Sequence, residues 1–113
     1  MADVNSMIGE MRAQLSQHQT ELHRTIAAIE RVTRSNTVVE KSVADIRSTG
    51  KDCVWQAVGR TFVKTPLEEY EMLMKNQIRE NIDTMNTLNK KKHYLETCIK
   101  NTIESLKQVT LGA

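Results

Sequence analysis

Little in this chain builds a compact core. It has one proline, four glycines, one phenylalanine, one tryptophan and two tyrosines in 113 residues, and only 39% of its side chains are hydrophobic. So few turn formers and aromatics fit elongated helices better than a globular domain. Two cysteines, Cys53 and Cys98, are too few for a disulfide framework, and no apolar leader precedes them, so we expect reduced thiols in an intracellular protein. No stretch approaches about 18 consecutive apolar residues, which argues against a membrane span. Excess charge of one sign is also missing. Sixteen basic residues meet fourteen acidic ones, interspersed along both arms, and such a balance lacks the footprint that phosphate backbones or acidic membranes require.

Catalytic and cofactor signatures are absent from the sequence too. Gly50-Lys51 is not a phosphate loop, because the upstream glycine is missing and Asp52 stands where Ser or Thr would bind magnesium. His18 and His23 are five apart and do not share a helical face as an i, i+4 pair would, and His93 lies on the other arm, so no metal site is expected. No nucleophile is paired with a base. Lys90-Lys91-Lys92-His93, the longest charge run, has no aromatic interleaving and reads as a solvated helix face, with Lys92 near the seam and snorkelling. We expect neither nucleic-acid nor membrane partners, and no catalytic, cofactor or metal residue.

One stretch reads as β-strand, Cys53 to Thr65, where Val54, Trp55, Val58, Phe62 and Val63 supply β-branched and aromatic side chains around Gly59. With Gly59-Arg60 as a two-residue turn, Val58 pairs with Thr61. Val54, Val58 and Val63 then share one face, and Cys53, Trp55, Ala57 and Phe62 the other, so neither face is polar. A lone hairpin of this kind is marginal in water, and no second strand-like run exists. The missing strands are expected from other chains, which makes Val54, Trp55, Val58, Gly59, Phe62 and Val63 the candidate assembly residues.

The arms on either side are helical. In residues 1–48 an unbroken heptad places Ile8, Leu15, Leu22, Ile29, Asn36 and Val43 at one seam position and Val4, Met11, His18, Thr25, Val32, Val39 and Ile46 at the other. A period of 3.5 specifies a left-handed supercoil with a partner helix. The polar members fix register. Thr65-Pro66-Leu67-Glu68 reads as a capping box that opens a second helix over 66–110. There Leu67, Tyr70, Met74, Ile78, Ile82, Met85, Leu88, Leu95, Ile99, Ile103, Leu106 and Val109 recur at steps of three, four or seven. Runs of four-residue steps from Tyr70 to Ile82 and from Leu95 to Ile103 predict two local changes of supercoil.

Arms of equal length around a short connector (53–65) predict a mainly α fold: one domain over 1–113, an antiparallel two-helix coiled coil with the hairpin at its closed end. At the open end Val4, Met7, Ile8 and Met11 face Leu106, Val109 and Leu111, and with Met1 this methionine-rich tip suits contact with varied partners.

Val54-Trp55-Gln56-Ala57-Val58-Gly59-Arg60-Thr61-Phe62-Val63, set between two equal arms, together with Lys91-Lys92-His93-Tyr94-Leu95-Glu96, resembles a β-class prefoldin subunit over essentially the whole chain. Trp55 departs from the usual Tyr, and Thr61 from a larger apolar residue. The resemblance implies a cytoplasmic, ATP-independent co-chaperone, in which α-class and β-class subunits form a hexamer and their hairpins close an intersubunit β-barrel platform. It also implies that coiled-coil tips hold unfolded clients such as actin and tubulin and deliver them to the cytosolic chaperonin. The alternative is a structural coiled-coil adaptor resembling tubulin-binding cofactors, for which the hairpin would have no use.

Overall fold

A computed structural model describes residues 3–112. Its elements run α1 (Val4–Ser48), β1 (Cys53–Val58), β2 (Thr61–Pro66) and α2 (Leu67–Gly112). The chain falls into two compact units, one of residues 1–30 with 86–113 and one of residues 31–85.

In the 31–85 unit, α1 is ended by its own last carbonyls turning inward. The Thr49 and Gly50 amides reach back three residues to Ile46 and Arg47, the Ser48 and Thr49 hydroxyls donate to Asp45 and Ile46, and Gly50 takes a φ of +68°. A side chain would crowd the backbone there, which is why glycine closes the helix. The hairpin follows in the expected register, with Val58 opposite Thr61 and Cys53 opposite Pro66. Its turn uses Gly59 at φ +61°, the positive φ that a first-position glycine supplies.

Partners across an antiparallel ladder share a face, so this register sorts the side chains further than the expected apolar faces did. Val54, Val58 and Val63 lie with Gln56, Thr61 and Thr65, which makes that face mixed, whereas Trp55, Ala57 and Phe62 lie with Cys53, Pro66 and Lys64. Thr65 is buried and its hydroxyl donates to Gln56 Oε1 at 3.2 Å. Pro66 completes β2 instead of opening the helix. Its missing N–H is harmless at a strand end, and the first helical residue is Leu67, whose amide donates to the Asp52 carbonyl at 2.8 Å. Glu68 and Glu69 then sit in the first turn, where carboxylates favour the positive end of the helix dipole.

Antiparallel segments of α1 and α2 pack in this unit through Asn36, Val39, Val43 and Ile46 on one side and Leu67, Glu71, Met74, Ile78, Asn81 and Met85 on the other, all half-buried. The Arg47 guanidinium grips Glu71 with two hydrogen bonds, Nε to Oε1 at 2.6 Å and an Nη2 donor to Oε2 at 2.9 Å. That pairing lowers the Glu71 pKa below the usual carboxylate range and raises that of Arg47.

The unit of residues 1–30 and 86–113 opens with Asp3, whose carboxylate accepts from the Asn5 amide at 3.4 Å and whose carbonyl accepts from Met7, as an N-cap residue does. Its most buried residues are Leu95 and Thr25; Thr25 is 3% exposed and donates its hydroxyl to the Glu21 carbonyl at 2.8 Å. A threonine is tolerated in this seam because its own helix satisfies the hydroxyl. Glu21 meets Arg24 at 3.0 Å and Lys91 at 3.6 Å, while Lys92 is half-buried.

The α1 heptad is as expected, since every seam residue except Val4 is at least half-buried. In α2 a stripe of half-buried or buried positions follows alternating steps of four and three from Leu67 through Glu71, Met74, Ile78, Asn81, Met85, Leu88, Lys92, Leu95, Ile99, Thr102 and Leu106 to Val109, with Tyr70 and Cys98 half-buried beside it. Ile82 and Ile103, chosen for hydrophobicity, lie outside this seam and are exposed, while Asn81 and Thr102 take their places.

Candidate functional site

Exposed apolar side chains gather in two regions, besides the scattered Val38, Ile82 and Tyr94. The first is the hairpin. Its two strands form a sheet of their own, so among the described residues the outer edges of both β1 and β2 lack a β partner. Trp55 is 67% exposed and Phe62 70%, and both stand on the same face. Val58 and Val63 are exposed on the opposite face, while Val54 is half-buried. Beside β1 an open groove of about 460 Å³ is lined by Ile46, Tyr70 and residues Val54 to Val58. All six expected assembly residues thus lie together on one hairpin, and Gly59 makes its turn. Met72 and Leu73, in the first turns of α2, are exposed as well and were missed. Their only signal was an apolar pair one and two residues before Met74, off the seam spacing.

The second region is the outer part of the terminal unit. Of the candidate tip residues, Val4, Met7 and Leu111 are exposed, Leu111 at 85%. Ile8, Met11, Leu106 and Val109 are half-buried in the seam between the two helices. Met1 lies outside the described residues. Beside these the structure places a groove of about 610 Å³ along α2, floored by Leu22, Ile99, Ile103 and Leu111 and edged by Lys100 and Lys107. Reading Ile103 as a seam residue hid this groove. Once the seam is assigned to Thr102, the isoleucine next to it must turn outward.

Neither region arranges groups for chemistry. Among the described residues no three His, Cys, Asp or Glu side chains cluster to hold a metal ion, and no helix is long and apolar enough to cross a membrane. What the arrangement offers is an unpaired β-edge with two aromatic anchors, and a charge-rimmed apolar strip on a helical pair.

Comparison with known proteins fits this description. The profile of the family described as prefoldin subunit matches residues 7–112. The chain belongs to the prefoldin subunit family. It is similar to prefoldin subunit 1 of Saccharomyces cerevisiae, 28% identical over 98 residues that make up 87% of this chain and 90% of the yeast protein. Its fold matches the crystal structure of the prefoldin beta subunit from Thermococcus strain KS-1 with a TM-score of 0.83, at 22% identity and over 96% of each chain. Two long helices joined by one antiparallel hairpin are thus a prefoldin β-subunit fold, and membership carries a co-chaperone role and assembly with other prefoldin subunits.

Proposed function

We propose that this prefoldin subunit joins α-class and β-class sisters in a hexamer through its hairpin and holds unfolded proteins with the apolar side chains of its terminal unit. The single observation that carries this reading is that a mostly polar coiled coil leaves Val4, Met7, Ile103 and Leu111 exposed to solvent, from 37% for Ile103 to 85% for Leu111. On the hairpin, sister strands would add to the free edges of β1 and β2 and seal Trp55 and Phe62 into a β-barrel platform. The terminal strip offers each client a small and weak contact. Several such strips on one platform would raise the effective concentration enough to retain a client such as actin or tubulin, yet each contact stays weak enough for release to the cytosolic chaperonin. Retention of this kind draws on burial alone and needs no nucleotide. The setting is the cytoplasm.

The test is deletion of residues 1–8. The truncated chain should still assemble with its sisters, while suppression of aggregation of denatured actin falls several-fold. Undiminished suppression by a fully assembled truncated complex would remove Val4, Met7 and Ile8 from the mechanism.

A further inference from the structure

In the 31–85 unit Asn36 interrupts an aliphatic seam position of α1. The other five residues at that seam position of α1, Ile8, Leu15, Leu22, Ile29 and Val43, are all aliphatic. Opposite it α2 offers two neighbours, Asn81 and Ile82. By hydrophobicity Ile82 belongs in the seam, since it continues the four-residue steps Tyr70, Met74 and Ile78. Asn81 is there instead, its Nδ2 donating to Asn36 Oδ1 at 2.6 Å, while its own Oδ1 accepts from Gln77 Nε2 at 3.1 Å. Ile82 is 47% exposed.

We propose that the Asn36–Asn81 pair is a phase lock that keeps this stretch of α2 on its alternating steps of three and four, so that Asn81 faces Asn36 and not its neighbour Ile82, which stands about 100° further round the helix. An isoleucine opposite Asn36 would leave a half-buried amide without its hydrogen bonds, whereas Asn81 satisfies it and is itself satisfied by Gln77. The lock keeps the heptad of α2 in step with that of α1. Four residues further on, Met85 is in the seam, with its sulfur 3.8 Å from the Thr33 hydroxyl. Without the lock, the steps of four from Tyr70 to Ile82 would run on as a stutter, with Ile82 inside and Asn81 in water.

The test reads how much Ile82 contributes to stability in four backgrounds of the full-length chain. Ile82→Ala should lower the thermal midpoint by about 3 °C in the parent, where the side chain is half in water, and by about 10 °C in Asn36→Leu, where it has moved into the seam. In Asn36→Leu/Asn81→Leu the small shift should return, because the second substitution puts an aliphatic side chain back in the seam at position 81. Asn36→Ala, which cannot overpack, should behave as Asn36→Leu does. Equal shifts in the parent and in both Asn36 single variants would overturn the lock, as would a large shift that persists in the double-leucine background.

Discussion

Replacing Trp55 and Phe62 together with serine is the most direct probe of the hairpin. An aromatic side chain carries on the order of 200 Å² of surface, and about two-thirds of each is uncovered in the lone chain, so full coverage by sister strands would bury roughly 130 Å² per ring. At about 25 cal/mol per Å² the two rings together would supply roughly 6–7 kcal/mol to assembly, an upper bound because association has ordering costs of its own. If half of that survives, the double substitution weakens association by about 3 kcal/mol, which is on the order of a hundredfold. The chain's own fold should respond much less, since about two-thirds of each ring is already in solvent. The assay is co-purification with tagged sister subunits followed by native mass spectrometry, with far-ultraviolet circular dichroism as the control. A double variant that assembles with undiminished affinity would refute the reasoning, for it would show that the exposed aromatic face is not where sister chains bind.

Other substitutions test the packing. Leu95→Ala removes a buried seam side chain and should cost about 2–4 kcal/mol in thermal or urea unfolding, whereas Ile103→Ala, at an exposed position, should cost less than about 1 kcal/mol. Gly59→Ala forces an L side chain into φ +61°. Assembly should weaken by about 1 kcal/mol, measured by competition against the parent chain, with Gly59→Asn closer to the parent because asparagine tolerates that region. The Arg47–Glu71 pair makes stability depend on pH. Its hydrogen bonds depress the Glu71 pKa, so its contribution is fully present above the unfolded carboxylate value of about 4.3 and is lost as pH falls through the lower folded value. Glu71→Gln should therefore flatten the acid limb of a thermal-midpoint profile and leave the region above pH 6 parallel to the parent.

Much of this molecule is written along the chain. The strict α1 heptad, the scarcity of proline and glycine inside the arms, and the Val-Gly-Arg turn between β-branched residues set two helices, one hairpin and its register, because each depends on neighbours a few residues away. The α2 seam was not decided locally. Its residues offer two apolar phases, and hydrophobicity alone selects Ile82 and Ile103, yet the facing helix presents Asn36 and draws Asn81 inward. Thr65 likewise has the look of a helix cap, but the cross-strand position of Gln56 gives its hydroxyl another partner. The groove along α2 could emerge only once that phase was fixed, since one residue of rotation separates a buried isoleucine from one that lines an open surface. Periodicity within a strand or helix is carried by the sequence. Which of two competing stripes is buried depends on the hydrogen bonds a partner element can satisfy, and that partner is in place only after the chain has folded back on itself.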